Sequence, residues 1–295
     1  MPDWTLRILE TPEEMEAVED LQRLVWPGSE TDVVPAHMLL TAAHNGGLVI
    51  GAYSEERLVG MLFGFPGIER VPDGPRAKHC SHMLGVQPEL RDSGLGFALK
   101  RAQWQIVRNQ GLDHITWTYD PLLSRNAYLN IARLGAVSNT YLREVYGEMR
   151  DGLNVGLPSD RFQVDWWILT QRVSRRLSRR ARPPFELAHF TQAGVHPLYE
   201  TLPGHGGWIV PPDKPVSPGE RLLLAEIPPD FMALKAAEPQ LAHDWRLFTR
   251  EFFEAAFAGG YLVTDFVYDR LGDRPRSFYV LAHGESTLED VTVRK

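Results

Sequence analysis

The stretch that decides the fold is LGVQPELRDSGLGFALKRAQ, which runs from Leu84 to Gln103. It starts as an apolar strand end and finishes as an amphipathic helix, and the glycine-rich turn RDSGLG at positions 91–96 lies between them. A helix N-terminus leaves backbone N–H groups without partners and carries a partial positive charge, so it favours anions. Glycines let the backbone curl and approach a ligand closely, and Arg91 adds a fixed positive charge. We therefore expect the turn to hold a phosphate or pyrophosphate.

Other glycine-rich phosphate loops fit this turn poorly. The pattern Gly-x-x-x-x-Gly-Lys-Ser/Thr of ATP-hydrolysing loops is absent from the sequence. The dinucleotide-binding fingerprint requires a third glycine, and Leu99 stands at that position. One alternative stays open, in which the two glycines merely make a tight connection between strand and helix.

Composition and charge limit the class of protein. The 295 residues, 43% of them hydrophobic, suffice for one large domain or two ordinary ones. A net charge of -7 argues against a nucleic-acid surface, which needs clustered Lys and Arg. The single cysteine, Cys80, excludes an intrachain disulfide and multi-cysteine zinc sites, and without an HExxH motif we predict no metal. The acidic N-terminus does not resemble a signal peptide and no apolar run approaches ~18 residues, so we predict a cytoplasmic protein without a membrane partner.

The polar and apolar pattern predicts the element order β, α, α, β, β, β, α, β, α, β, β over residues 1–172. We interpret this order as one α/β domain with a mixed sheet and helices on both faces. The pattern places a strand at Lys78–Val86, a helix at about Leu95–Asn109, and a second helix that has Ser124 or Asn126 near its cap.

The remainder of the chain has a different composition. Residues 173–184 are rich in Arg and Pro, and we expect an exposed linker there or a contact with a cofactor phosphate or an acidic neighbour. The sequence pattern of residues 185–295 predicts a smaller α/β region. We expect this region to contribute to the substrate pocket or to dimerisation. Its order of strand, helix, strand, strand fits a degenerate half-repeat of the first domain, or the coincidence of a common pattern.

The chain resembles the GNAT acyltransferase superfamily from about Thr5 to Thr170. Five residues and the 126–135 helix carry the resemblance: Val86, Pro88, Arg91, Gly94 and Gly96. It implies the GNAT-like fold and an acyl-CoA-dependent N-acyltransferase that works by direct transfer in a ternary complex. In such proteins the turn holds the pyrophosphate of acyl-CoA, and a splayed strand end pairs with the pantetheine arm. The cofactor-binding residues implied are Leu84, Gly85, Val86, Arg91, Asp92, Ser93, Gly94, Leu95, Gly96, Phe97 and Asn126.

The resemblance also implies where the thioester lies and which substrates are used. The acyl group would point into the gap between the strand of His82 and the strand of Trp117. Acetyl-CoA or another acyl-CoA, such as succinyl-CoA, would be the co-substrate, and a small-molecule amine such as an amino acid of either hand would be the acceptor. We also predict a homodimer. A CoA-binding module without turnover is the rival function.

The general acid is the place where the chain departs from the family. Many members carry a tyrosine four residues before the glycine that ends the second motif helix, and that position is Ile131. Tyr128 could replace it if the helix is rotated, and Tyr141 or Tyr146 could approach from the next strand. We retain Tyr128 and Tyr146 as candidate catalytic residues.

His82 is our candidate for the general base. The period of two in a strand predicts that Cys80, His82, Leu84 and Val86 share one face. In the GNAT family, catalytic Glu or His residues lie nine or eleven positions before the motif Arg or Gln, which here are His82 and Cys80. An imidazole titrates near neutral pH and suits this role, with a hydrogen-bonded structural histidine as the alternative. Cys80 is expected to be a small packing residue, because no activating partner is evident.

Three further residues are candidates for binding the acceptor. Asp120 ends the strand across the gap and could hold an ammonium group, although it could equally cap the following helix. Arg161 could hold a carboxylate through a two-pronged salt bridge. Trp117 could line the acceptor pocket, but it and the tryptophans at 166 and 167 could also be core aromatics.

Overall fold

The computed structural model describes residues 4–28, 30–147, 156–178, 183–213 and 216–283. Contacts divide these residues into two compact units. The first unit extends to Trp117 and includes Trp167–Leu169, and the second contains Thr118–147, 156–Trp166 and the chain from Thr170 onward. This division falls elsewhere than the predicted domain end at 172. Part of the predicted linker, residues 179–182, lies outside the described residues.

The first unit is built from five strands and three helices in its described part. In chain order they are β1 (Thr5–Ile8), α1 (Pro12–Val25), α2 (Ala36–His44), β2 (Leu48–Ser54), β3 (Arg57–Val71), β4 (Gly74–Val86), α3 (Leu95–Asn109) and β5 (His114–Tyr119), whose last two residues belong to the second unit.

Local signals explain where these helices begin and end. Thr11 caps α1 through a capping box with Glu14, as the Thr-Pro-Glu-Glu sequence indicates. The bounds of α3 agree with the prediction, because glycines with positive φ flank the helix: Gly94 at 91° before it and Gly111 at 81° after it.

The sheet of the first unit is mixed, as predicted. Strands β1 to β4 pair antiparallel in chain order, and β4 pairs parallel with β5. Helices α1 and α2 cover one face with a cluster that includes Met15, Leu39 and Phe63. Helix α3 covers the other face through Leu95 and Leu99.

A β-bulge in β4 changes the predicted faces of Leu84 and Val86 relative to His82. Phe63 pairs with Met83 and Gly64 pairs with Ser81, so His82 is an extra residue in β4. Past the bulge, Leu84 and Val86 pack against the α3 cluster, whereas His82 contacts two rings on the side of α1 and α2. The prediction that His82 shares a face with Leu84 and Val86 is therefore wrong, because the period of two is interrupted between them.

The second unit contributes the remaining elements. In chain order they are α4 (Ser124–Ala127), which continues as a π-helical turn (Tyr128–Arg133), β6 (Val137–Leu142), β7 (Arg161–Trp167, the last residue in the first unit), α5 (Gln171–Leu177), α6 (Leu187–Gln192), β8 (Leu202–Pro203), β9 (Ile209–Val210), β10 (Leu222–Ile227), α7 (Phe231–Ala237), α8 (Pro239–Ala258), β11 (Leu262–Asp269) and β12 (Arg276–Ala282). The part after residue 185 is thus an α/β region, as predicted.

The strands of the second unit pair antiparallel in the order β7, β6, β11, β12, β10. Its core is aromatic, with the ring of Phe162 4.7 Å from that of Phe253 and 5.4 Å from that of Tyr279. Residues 173–177, predicted to begin a linker, belong to α5, where Val173 and Leu177 are buried. Arg176 of this helix pairs with Asp265 at 2.5 Å.

Two kinds of feature are absent from the described ranges. Within residues 4–28, 30–147, 156–178, 183–213 and 216–283, no helix is long and apolar enough to cross a membrane. The same residues contain no group of three His, Cys, Asp or Glu side chains that could hold a metal ion.

Candidate active site

The turn between β4 and α3 presents backbone amides at a helix start. Asp92 and Gly94 both have positive φ, 65° and 91°, which turns the chain sharply into α3. The Ser93 hydroxyl donates to the Leu90 carbonyl at 2.7 Å and fixes the turn from inside. A Cβ placed on Gly94 would meet no heavy atom within 4 Å, so the space beside this glycine is open.

Two amides of this turn are available to a ligand. Within the described residues, the N–H groups of Gly94 and Gly96 donate to no other group of the chain. The side chain of Arg91 is exposed beside them. Two N–H donors, a helix dipole and a guanidinium group together suit a phosphate anion.

The strands β4 and β5 separate next to this turn. Their ladder joins His79 to Ile115 and Cys80 to Thr116, and no further pair forms between the described residues of the two strands. On its other edge β4 stays paired with β3 as far as Val86. Among the described residues, the β5 side of β4 from Ser81 to Val86 is therefore an edge without a strand partner. This edge includes Leu84–Val86, the segment predicted to pair with the pantetheine arm, and it borders the gap predicted to receive the acyl group.

His82 lies on this open segment, on the side of α1 and α2. Its ring contacts those of Phe63 and Phe65, with centroids 5.8 and 5.9 Å away. Although the residue as a whole is exposed, this packing desolvates the imidazole and lowers its pKa from 6.5. His82 forms no hydrogen bond or ion pair with the other described residues, so its imidazole is neutral near pH 7 and can accept a proton.

A buried lysine occupies the point where the two strands part, and the sequence prediction missed it. Lys100 of α3 is 2% exposed, and its Nζ donates to Ser81 Oγ at 2.9 Å and to Gln103 Oε1 at 3.1 Å. The same Nζ lies 3.4 Å from the ring centroid of Trp117. Ser81 and Trp117 are the first residues beyond the β4–β5 ladder. Burial holds the pKa of Lys100 well below its usual value.

The polar network continues from Lys100 to His79. Because Gln103 Oε1 accepts from Lys100 and Ser81, its Nε2 is the donor to His79 Nε2 at 3.0 Å. The proton of the neutral imidazole is then on Nδ1, which is buried without a hydrogen-bond partner among the described residues. Burial first, and the nearby Lys100 charge second, lower the pKa of His79 to about 4. His79 is the structural histidine of this strand.

The tryptophans predicted for the acceptor pocket or the core have separate environments. Trp166 is fully buried and donates Nε1 to the Leu134 carbonyl at 2.9 Å, which is a core role. Trp167 stacks on His114 with centroids 3.9 Å apart. The ring of Trp117 contacts Lys100 Nζ, and this tryptophan borders the gap between β4 and β5.

In the second unit, Asp120 is buried in an ion pair. Its Oδ2 lies 2.5 Å from Arg246 and 3.9 Å from Arg161, and its Oδ1 accepts from the amide of Leu122 at 2.9 Å. This contact is an Asx turn before the helix and not the helix cap that the sequence left open, because α4 begins at Ser124 and its N-cap position is Leu123. Neither Ser124 nor Asn126 caps α4, because the N-cap position is Leu123 and no side chain bonds there.

Arg161 is held close to Asp160 and Tyr146. Its Nη1 donates to the Asp160 carbonyl at 2.8 Å, and its guanidinium lies 5.5 Å from the ring of Tyr146. The hydroxyl of Tyr146 is 2.7 Å from that of Thr118. Arg246, which sequence reasoning missed, lies on the same stripe of α8 as buried Trp245 and Phe253. A charged residue inside an apolar stripe was the available signal.

The tyrosine candidates for the general acid are all in the second unit. Tyr128 begins the π-helical turn and is half-buried, and Ile131 in the same turn is fully buried. Tyr141 donates to Asp160 at 2.8 Å, and burial raises its pKa. Tyr128 and Asn126 donate or accept no side-chain hydrogen bond within the described part of the chain.

Comparisons with known proteins give structural likenesses only. No family model matches the chain, and no curated protein matches its sequence. The chain is similar in structure to a GNAT-family acetyltransferase from Streptococcus pneumoniae, at 12% identity and a TM-score of 0.42 over 55% of this chain and 98% of that one. It is similar to the ribosomal-protein-S18-alanine N-acetyltransferase of Escherichia coli (15%, TM-score 0.42, 56% and 94%). A third similar structure is Arabidopsis thaliana NAA60 in complex with acetyl-CoA (14%, TM-score 0.46, 56% and 99%).

Proposed function

We propose that the protein is an acyl-CoA-dependent N-acyltransferase that transfers an acetyl or succinyl group to the amine of a small molecule. One observation carries the proposal: a strand edge with no pairing among the described residues, Ser81–Val86, leads through residues 87–93 to a helix start that has two available amides at Gly94 and Gly96. An extended ligand with amide groups and an anionic end fits this pair of features. Acyl-CoA has such a structure.

The length of the CoA arm supports the placement of acyl-CoA along the edge of β4. The arm of CoA between pyrophosphate and sulfur has about twelve bonds, as many as four extended residues, which span about 14 Å. Ser81 to Val86 covers about 16 Å of strand, and Val86 packs in the same cluster as Leu95 at the start of α3. With its pyrophosphate at the turn, the arm would place the thioester near Ser81, and its amides would pair with the edge of β4.

His82 would remove the proton from the acceptor amine. The attacking amine must be neutral, which costs an α-amine with a pKa near 8 about 1.4 kcal/mol at pH 7 and a lysine-like amine about 4 kcal/mol. A neutral imidazole supplies the help that an α-amine needs, directly or through one water. An amino-acid acceptor is thus easier to use than a lysine side chain.

A carboxylate on the substrate would be recognised by Arg161. Its guanidinium is buried in the second unit and borders the exposed ring of Tyr146. Asp120 is engaged by Arg246, so its part in this proposal is to orient the arginines rather than to bind an ammonium directly. Arg161→Ala should then raise the KM for an acidic acceptor far more than it changes acetyl-CoA affinity.

Cofactor binding is tested with a matched pair of glycine variants. Gly94 and Gly111 flank α3, both have positive φ, and neither has a heavy atom within 4 Å of an added Cβ. Each change to Ala should therefore cost similar stability, about 1 kcal/mol. Gly94→Ala alone should weaken acetyl-CoA binding in calorimetry, because only its methyl group would enter the phosphate site. Equal affinity in the two variants would contradict the proposal.

Turnover is tested on the wild-type protein with acetyl-CoA, succinyl-CoA and a panel of amines and amino acids. Mass spectrometry should find the acylated amine, together with one CoA thiol released for each product. Tight binding with no product would favour the CoA-binding module. No binding at all would remove both functions.

A further inference from the structure

The amine of Lys100 lies at the point where β4 and β5 part, beside the place where the proposed function puts the thioester. Nζ is bonded to Ser81 and rests on Trp117, the first residues past the ladder on the two strands. An arm of about 14 Å that starts at the turn ends at this level of the strand. Lys100 is buried on the same side of α3 as Leu95, Leu99 and Val107. Burying a lysine amine among apolar side chains costs free energy, so a functional reason for this lysine is expected.

We infer that Lys100 is the general acid that protonates the leaving thiolate of CoA. The inference rests on the proposed acyltransferase function and assigns to Lys100 the general-acid role that the apolar side chain of Ile131 is unable to perform. The amine lies on the α3 side of β4 at the point where β4 and β5 separate, whereas His82 lies on the side of α1 and α2. A base and an acid on opposite faces of one strand suit a carbonyl carbon that gains nitrogen from one side and loses sulfur to the other.

The proton and electron balance is complete without a further reactant. The acceptor nitrogen forms a bond to the thioester carbonyl carbon, and the carbon–sulfur bond breaks with its electron pair on sulfur. The Lys100 ammonium gives a proton to sulfur, which yields the CoA thiol and a neutral amine. The proton lost by the acceptor nitrogen goes to His82. His82 then releases a proton to water, and Lys100 regains one from water when the products leave.

The surrounding groups accommodate both forms of the lysine. The two hydrogen bonds to Ser81 and Gln103 use N–H groups that the ammonium and the neutral amine both possess. Among the described neighbours of the lysine, His79 of β4 is kept neutral by burial, and the ring of Trp117 of β5 is uncharged. Burial lowers the pKa of Lys100, which makes its ammonium a stronger proton donor than the ammonium of a solvated lysine.

The test compares kcat against pH, from about pH 6 to pH 10, for the wild type and three variants with acetyl-CoA and an accepted amine. The wild type should lose activity at alkaline pH as Lys100 is deprotonated. Lys100→Met should lower kcat by about 10² to 10⁴ and abolish that alkaline limb. Lys100→Arg keeps the charge and the stem but does not release its proton, so it should show the same loss and no limb. Lys78→Met, a control on β4 outside the Lys100 network, should retain the wild-type kcat and the alkaline limb.

The outcomes separate this inference from the function on which it rests. A wild type without an alkaline limb overturns it, and so does a limb that survives in Lys100→Arg. If the variants instead bind acetyl-CoA more weakly or melt at a lower temperature while kcat is unchanged, Lys100 has a structural role where β4 and β5 separate, and the inference is wrong. If the wild type acylates no amine, the proposed function fails first and this inference fails with it.

Discussion

Two histidines on one strand have opposite environments although they are only three positions apart. His79 is fully buried and hydrogen-bonded to Gln103, whereas His82 is exposed as a whole residue and its ring packs against those of Phe63 and Phe65. Alternation along β4 places His82 on the face opposite His79, and the bulge at His82 then turns Leu84 and Val86 toward α3. Burial lowers the pKa of both imidazoles. The lowered pKa of His82 affects the proposed catalysis, whereas the lowered pKa of His79 affects the stability of the fold.

The role of His82 is testable through the pH profile. A general base must be deprotonated, so the rate should fall as the pH drops below its pKa, which lies under 6.5. His82→Ala should lower kcat/KM by about 10² to 10⁴ and remove this acidic limb. His37→Ala, at an exposed site on α2, should change neither. An unaltered profile in His82→Ala would return His82 to a structural role.

The burial of His79 predicts acid sensitivity of the fold. Its pKa is about 4 when folded and 6.5 otherwise, so between these values the unfolded chain binds more protons. Stability is therefore fully present above about pH 6.5 and is lost as the pH falls toward 4, by up to about 3 kcal/mol.

Urea unfolding of His79→Gln across this pH range measures that loss. The variant is neutral throughout, so the wild type should lose stability relative to it as the pH falls from 6.5 to 4. The exposed control His37→Gln should follow the wild type. A constant difference between His79→Gln and the wild type would mean that His79 does not titrate as described.

At the level of elements, the bulge in β4 depends on the residue opposite it. A Cβ on Gly64 would lie 2.2 Å from His79 Nε2 and 2.8 Å from the Cys80 carbonyl oxygen, closer than atoms can approach. Only glycine lets β3 lie against the bulged strand here.

Gly64→Ala should therefore destabilise the protein by about 1–3 kcal/mol through overpacking. Because the clash falls on His79 and the bulge, it should also lower the rate by displacing His82. Gly219→Ala, where a Cβ meets nothing within 4 Å, is the control for urea unfolding and for kcat. Wild-type stability in Gly64→Ala would show that the bulge moves freely.

Sequence patterns predicted the elements whose signals are local. The capping residues of α1 and the glycines that flank α3 set helix ends within a few residues of the prediction. The bulge was missed because an extra residue in β4 leaves no local signal; it is seen only when Gly64 is paired across to Ser81. Lys100 was missed because its contacts come from β4 and β5, which meet it only in the folded state.

At the scale of the whole molecule, sequence composition and contacts divide the chain differently. The Arg- and Pro-rich segment suggested a boundary near residue 172, yet β6 and β7 form a sheet with β10, β11 and β12 from the C-terminal region. In the second unit, Phe162 packs on Phe253 and Tyr279, and Asp120 pairs with Arg246. These pairs join residues that precede the predicted boundary to residues that follow it.

A chain that ends at Thr170 should therefore fail to fold completely. It keeps Phe162 and Trp166, both fully buried, and loses the aromatic side chains of α8 and β12 that cover Phe162. We expect binding of a hydrophobic dye and a broad urea transition, because exposed apolar surface and lost packing weaken cooperativity. A chain that ends at His283 keeps every described residue and should unfold like the full-length protein. A sharp transition without dye binding in the shorter chain would instead support an independent domain over residues 1–172.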